Sequence, residues 1–425
     1  MDKLLQYLRS FEPVFTVLAL MHYTADWLPL IISGGASEGD GVDINSFNFV
    51  PNVLLFLMTY AVATALLLLR WKKFIHFIPR AAVIWLMILI AISSFFWSDD
   101  PARTLKSCIG LIGTTLFGIY LGSRYTFKQQ LRLLAFAYIA IAILCIIFAI
   151  ALPRYGLEQV VHAGAWRGIF THKNVMGKAM TLGAIIFIIS PSLFEYKDRW
   201  ISRVGLGLAF FLLLMAKSSS SLINTTVLII SLFAYRTLRF RYLLFFPAFL
   251  AIITLGYVLV YVYINHAEFL LGLIGKDPSL TGRTDIWAWV GDMIEKRPLL
   301  GYGFMAFWNG LDGASAYVIR AARWPVPYSH NGILDLWLDI GLLGVSAYFF
   351  GYFVNFFCAI VWVKGGSESD RLWPLLFLTY LMLTNASEGG MFGQNNILWV
   401  LYTSLSISII QPIQKQPVMS PDIKT

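Results

Sequence analysis

The sequence predicts an all-α polytopic membrane protein of about 12 transmembrane helices, with one large periplasmic loop containing short helices. Three observations carry this. Apolar runs of about 20 residues, the length that crosses a hydrocarbon core, recur along most of the chain. The 425 residues are 58% hydrophobic and 13% charged, with a mean hydropathy of +0.71, which does not suit a soluble domain. The polar connections also alternate sharply in charge. Aromatic content of 16% suits belts of Trp and Tyr at the two membrane interfaces.

In order, the apolar segments fall near 14–33, 50–69, 81–97, 104–122, 132–152, 174–194, 204–217, 221–235, 242–264, 332–363, 372–387 and 396–411. They define an N-terminal membrane bundle (1–264), an interruption (265–331), C-terminal membrane helices (332–411) and a tail (412–425). One set of connections carries Lys3 and Arg9; Arg70, Lys72, Lys73 and Arg80; Arg124, Lys128 and Arg132; Lys197, Arg199 and Arg203; Arg236, Arg239 and Arg241; and Lys364, Arg371, Lys415 and Lys424. The other set includes the acidic loop with Glu38, Asp40 and Asp43. The positive-inside rule puts the first set and both termini in the cytoplasm, so that 265–331 faces the periplasm. The net charge of +9 then reflects topology and an anionic substrate rather than nucleic acid. Cys108, Cys145 and Cys358 each sit in an apolar run and read as packing residues. Met1 to Pro13 is polar, and no cleaved leader is expected. No internal repeat of the transporter kind is visible.

Positive charge in a short external loop needs a reason. The connection between the fifth and sixth segments carries Arg154, His162, Arg167, His172 and Lys173, followed by Asn174 and, one turn into the next helix, Lys178. These groups gather before a helix N-terminus, whose free amides and dipole favour anions. An anion site is the expectation, and a loop that binds lipid headgroups is the alternative.

Within the interruption, Thr281 to Arg297 reads as a helix capped by Thr281 or Ser279 and stopped by Pro298. Arg283 falls on the stripe of Ile286, Trp287, Val290 and Ile294, opposite Asp285, Asp292 and Glu295. A guanidinium turned to the apolar side needs a partner, and a phosphate is the expectation; snorkelling, or a carboxylate from another helix, is the alternative. Lys296 and Arg297 read as complements to the helix dipole. His330 follows the stiff approach Trp324-Pro325-Val326-Pro327-Tyr328 and opens the next span, placed to take a proton near neutral pH. The alternative for it is a structural, hydrogen-bonded histidine. Asp335 and Asp339, one and two turns on, are placed to orient His330 or to bind acceptor hydroxyls, and pairing with membrane arginines is the alternative.

Weaker candidates have simpler readings. Asp99-Asp100-Pro101 reads as a helix cap rather than a metal site. His22 and Asp26 share a face of the first span at i and i+4. Lys217 to Ser221, Glu388, and Gln394-Asn395-Asn396 sit at external span ends, where carboxylates, amides and hydroxyls suit sugars.

Several of these pieces resemble the O-antigen ligase and polymerase superfamily of bacterial inner-membrane proteins, and within it the exopolysaccharide-polymerase branch. They are Phe96-Trp97-Ser98-Asp99-Asp100-Pro101, Phe170-Thr171-His172-Lys173-Asn174-Val175-Met176-Gly177, Thr281-Gly282-Arg283 with Ile286-Trp287, Pro298 to Gly303, and His330-Asn331-Gly332 with Asp335 and Gly341 to Gly344. The resemblance implies metal-independent, inverting glycosyl transfer at the periplasmic face, with no cofactor and a donor glycan on undecaprenyl pyrophosphate. It implies catalytic roles for Arg283, holding the pyrophosphate, and His330, the general base. The expected substrate-binding set is Arg167, His172, Lys173, Asn174, Asp335 and Glu388. The expected partners are the lipid-linked donor and acceptor, the bilayer, and chain-length regulator or export proteins. A ligase acting on lipid A-core or protein, a flippase or exporter of lipid-linked sugars, and an export-complex scaffold remain the alternatives.

Overall fold

The computed structural model describes residues 2–36, 49–74, 81–160, 162–238, 282–366 and 368–409. The ninth expected span (242–264), the acidic loop, Thr281, Ser279 and the 412–425 tail lie outside the described residues. The described residues are all-α. The helices that frame the molecule are α1 (Asp2–Thr24), α2 (Trp27–Ile32), α3 (Val50–Leu68), α4 (Ala82–Ser93), α5 (Pro101–Arg124), α6 (Phe127–Ala151), α7 (Lys173–Ile189), α8 (Arg199–Met215), α9 (Ser219–Thr237), α10 (Arg283–Lys296), α11 (Ala316–Ala322), α12 (Gly332–Lys364), α13 (Trp373–Asn385) and α14 (Ile397–Ser408).

Among them α3, α5, α6 and α12 have the length and apolar composition to cross a membrane, and Ala82–Trp97 and α14 are shorter apolar helices. Among the described residues the other apolar segments are shorter or broken, and the ninth expected span lies outside them. The first segment is interrupted after Thr24, so His22 and Asp26 do not share one helix face as expected. His22 instead packs on Phe56, ring centroids 4.0 Å apart, and Asp26 takes the N-cap position of α2. The exterior of α12 is a row of exposed Phe350, Phe353, Phe357 and Val361, an apolar surface that lipid rather than water suits. Close packing comes from small residues: an added Cβ at Gly118 or Gly122 of α5 would run into the Val400 and Ser404 carbonyls of α14.

The bundle has two chemically different ends. At one end the buried Glu12 carboxylate pairs with Arg70 and with Arg124 (2.5 Å), Lys128 pairs with Glu368 (3.0 Å), and Gln130 meets Ser408 (2.9 Å). At the other end are the N-termini of α5, α7, α12 and α14 and the C-terminus of α13. Asp100 caps α5, accepting from the Arg103 N–H (2.9 Å), with Pro101 at the first helical position as the sequence predicts. Arg297 does more than complement a dipole. It pairs with Asp99 (2.6 Å) and lies 4.7 Å over the Tyr302 ring.

The described part of the interruption, 282–331, folds as a small unit with its own core of Ile286, Val290, Tyr302, Phe307, Val318 and Leu338. The last of these belongs to α12, which carries the unit. Its attachment exploits a break in α12 at Ile340 and Gly341, where the backbone leaves helical geometry (Gly341 φ +67°). Helical pairing of the Leu338 and Asp339 carbonyls is lost there, and the Tyr302 and Gly303 N–H groups take them at 2.7 and 2.9 Å. A side chain at 341 would collide with the Leu299 carbonyl, so only glycine fits both the conformation and the space.

Candidate functional site

Glu388 is the centre of the site. It lies beyond the end of α13 and is 6% exposed. Arg283 Nη2 donates to its Oε1 at 2.8 Å, and Asn174 Nδ2 reaches the same oxygen at 3.3 Å. Tyr328 OH donates to Oε2 at 2.8 Å, and His330 Nδ1 lies 3.7 Å from that oxygen, an ion-pair distance rather than a formed hydrogen bond. Lys178 Nζ donates to the neighbouring Gly389 carbonyl at 3.4 Å. Burial alone would raise the Glu388 pKa. The His330 imidazole, then the Arg283 and Lys178 cations, outweigh burial and hold the carboxyl well below the usual carboxylate range.

Arg283 reaches this point because α10 presents Ile286, Val290, Met293 and Ile294 to the unit's core, and Arg283 shares that side with its own side chain 16% exposed. Asp285, Asp292 and Glu295 face outward as expected. The N-cap of α10 is Gly282 at φ +80° with no side-chain cap, rather than Thr281 or Ser279. The partner of Arg283 is thus a carboxylate from another part of the chain, the turn beyond α13, rather than one from its own helix.

His330 is clamped more tightly than a stiff proline approach requires. It takes φ +54°, a conformation disfavoured for a residue with a side chain. The clamp lies on either side of it. Asp335 Oδ1 accepts the Ser329 N–H (2.9 Å), Trp287 Nε1 holds the Ser329 carbonyl (2.9 Å), and the Ser329 hydroxyl donates to the Asn331 carbonyl (2.7 Å). Asn331 caps α12, accepting from Ile333 N (3.0 Å) and Leu334 N (3.3 Å), and Gly332 leaves no room for a side chain beside Asn385. Asp335 also accepts from Trp308 Nε1 at 3.0 Å, so it orients the His330 segment through backbone rather than touching the imidazole. The Tyr328 ring lies 4.3 Å from the His330 ring.

The remaining expected residues divide. Asn174 joins the centre, and its Oδ1 accepts from Ser218 at 3.0 Å, bringing in the serine turn after α8. His172, Lys173 and Arg167 serve the local structure. His172 Nδ1 accepts the Asn174 N–H at 3.3 Å, and Glu158 accepts the Lys173 N–H at 2.8 Å. The α7 N-terminal amides, expected as an anion site, are therefore taken by the protein's own acceptors. Lys173 Nζ turns to the Lys217 carbonyl at 3.4 Å. Arg167, fully buried, donates to the carbonyls of Tyr155 (2.9 Å), Gly35 (2.7 Å) and Arg154 (3.1 Å). It pins three loops together. Burial first, with Lys173, His330 and Arg167 adding to it against the pull of Glu388, lowers the His172 pKa to about 4. Gln394 and Asn396 are also structural: Gln394 reaches Ser107 (3.3 Å), and Asn396 caps α14 by accepting from Leu398 N (2.8 Å). Among the described residues no group of three or more His, Cys, Asp or Glu side chains gathers for a metal ion.

Sequence reasoning did not single out Tyr328 or Glu158. Tyr328 ends the proline approach, and nothing in the local sequence shows that it turns toward Glu388.

Compared with known proteins, residues 204–349 match the family model described as O-antigen ligase. That range contains Arg283, His330 and Asp335 but neither Asn174 nor Glu388. The chain is similar to an exopolysaccharide production protein, ExoQ, of Rhizobium meliloti (strain 1021), 24% identical over 299 residues that cover 67% of each chain. It is also similar to a putative polysaccharide ligase of Rickettsia prowazekii (strain Madrid E), 35% identical over 78 residues, 18% of this chain and 19% of the relative. Another, of Rickettsia felis (strain ATCC VR-1525 / URRWXCal2), is 31% identical over 75 residues, 17% of this chain and 18% of the relative. The match thus spans less than a fifth of each rickettsial relative.

Proposed function

We propose that the chain, whose residues 204–349 match the O-antigen ligase family model and which is similar over 67% of its length to an exopolysaccharide production protein, lengthens lipid-linked glycans, joining repeat units carried on undecaprenyl pyrophosphate at the periplasmic face of the inner membrane. The observation that carries this reading is the meeting of Arg283 and His330 at Glu388, which brings an anion-binding guanidinium and a proton-accepting imidazole to one place. The extent of the match to an exopolysaccharide production protein favours polymerase over ligase.

In the proposed reaction the donor pyrophosphate takes the Arg283 guanidinium, with Lys178 adding positive charge nearby. The acceptor hydroxyl oxygen attacks the anomeric carbon from the opposite side. The carbon–oxygen bond to phosphate breaks, and its electron pair leaves on the pyrophosphate, whose charge the arginine meets. His330, its Nδ1 toward Glu388, takes the hydroxyl proton at Nε2. Glu388 balances the resulting imidazolium, and Asp335 keeps the imidazole aimed by fixing Ser329. Asn174 and Tyr328 supply polar groups for sugar hydroxyls. Arg167, His172 and Lys173 support this site from behind by fixing the start of α7.

The test is reconstitution of the purified protein in vesicles with an undecaprenyl-pyrophosphate-linked repeat unit. Glycans of two or more repeats support the reading. Transfer only to lipid A-core or protein replaces it with a ligase, and donor flipping without elongation removes the enzyme.

A further inference from the structure

Beside the Glu388 centre the 282–331 unit carries a concave site of its own. Its volume is about 460 Å³, within the roughly 300–1,000 Å³ typical of small-molecule pockets. Trp308, Ile319, Trp324 and Val326 form its walls, and Arg320 and Arg323 stand on its rim; among the described residues no carboxylate lines it. Local structure sets these positions. Ile319 and Arg320 share α11, and Arg323 ends that helix at φ +63°, turning the chain into Trp324-Pro325. Both arginines are exposed, and neither forms an ion pair among the described residues. Trp324 is 38% exposed, and its ring lies 6.3 Å from that of His330. Trp308 shares Asp335 Oδ1 with the Ser329 N–H, so one wall of the cavity and the His330 segment hang on a single oxygen.

The chemistry of the lining is specific. Indole faces receive the apolar face of a pyranose ring, and a planar guanidinium pairs with a carboxylate through two parallel hydrogen bonds. Two arginines with no carboxylate partner among the described residues, beside two tryptophans, therefore select a sugar that carries a carboxylate. We infer that this cavity is a glycan subsite for a uronic acid residue, one sugar removed from the hydroxyl that His330 deprotonates. The inference rests on the glycan-transfer reading for its place in the reaction, but the binding itself is independent of turnover.

The test uses the full-length protein in detergent and two soluble probes, a glucuronyl-glucose disaccharide and its carboxyl-reduced counterpart, with binding followed by tryptophan fluorescence. The acid is expected to bind about tenfold more tightly than the reduced sugar, as charge-assisted bonding implies. The Arg320→Gln/Arg323→Gln double variant loses that preference while its thermal midpoint is unchanged, since both side chains are exposed. Trp324→Ala weakens both sugars alike. His330→Ala leaves the preference intact. Inorganic pyrophosphate in excess leaves acid binding unchanged. Equal affinity for the two sugars, a preference that survives in the double variant, or displacement by pyrophosphate overturns the subsite. Acid preference without elongation of any lipid-linked glycan removes the functional reading and leaves the subsite standing.

Discussion

Arg283 Nη2 lies 2.8 Å from Glu388 Oε1, a pairing across 105 positions of sequence. In the proposed reaction the carboxylate covers the guanidinium edge that the donor phosphate would take. Glu388 therefore both competes with the donor and, through its other oxygen, faces His330. Removing its charge is expected to separate these effects. Glu388→Gln lowers the donor KM several-fold, because an uncharged amide competes poorly for arginine. It also lowers kcat about tenfold or more, because the imidazolium loses its counter-charge. Steady-state kinetics on the reconstituted enzyme read both. Unchanged KM and kcat would remove Glu388 from the site.

Asp335 acts on His330 through the Ser329 N–H. Truncation to alanine leaves that N–H and the Trp308 indole N–H without their acceptor, at about 1–3 kcal/mol for each buried group. The positive φ at His330 then loses one of its restraints. We expect Asp335→Ala to lower kcat about 10- to 100-fold with little change in donor KM, and Asp335→Asn, which keeps an acceptor, to fall between. A loss confined to thermal stability, with kcat intact, would make Asp335 merely structural.

The pH dependence of stability follows from His172. Its folded pKa is lowered to about 4 from the ordinary 6.5, first by burial. Between those values the unfolded chain binds a proton that the folded chain refuses. Stability is therefore complete above about pH 6.5 and declines as pH falls toward 4, by on the order of 3 kcal/mol at most. His172→Asn keeps a capping acceptor without the titration. Its thermal midpoint should fall less between pH 7 and pH 5 than that of the native protein, as scanning calorimetry would show. Identical slopes would contradict the neutral, buried assignment.

What the sequence could show was set by how local the signal is. The side of α10 that Arg283 occupies follows from helical phase alone, and the cap at Asp100-Pro101 follows from residue type. The convergence of Asn174, Arg283, Tyr328, His330 and Glu388 comes from helices far apart in sequence, and no periodicity encodes it. Arg167 shows how a local signal leaves the partner open. A basic residue in an external loop suggests an anion, yet three backbone carbonyls take its Nε and Nη2, and the anion beside its Nη1 is the protein's own Glu158 carboxylate at 3.9 Å. Gly341 reads as a helix-lowering residue inside a long apolar run. That it breaks α12 to dock the 282–331 unit depends on the Leu299 carbonyl, which the local sequence does not reveal.

That docking gives a stability prediction. Gly341→Ala forces a side chain into positive φ and against the Leu299 carbonyl, and is expected to destabilise by about 1–3 kcal/mol or more. Limited proteolysis should then cut the 282–331 unit faster while the bundle stays resistant. Equal protection of both would show that the break is not what anchors the unit.

The central claim is that Arg283 and His330 together transfer glycan. The most direct measurement is elongation of an undecaprenyl-pyrophosphate-linked repeat by vesicles holding the native protein, Arg283→Ala or His330→Ala, each confirmed folded by its thermal midpoint. The account predicts a ladder of longer glycans from the native protein and a loss of about 100-fold or more in each variant. Ladders of native length and rate from either variant would contradict it.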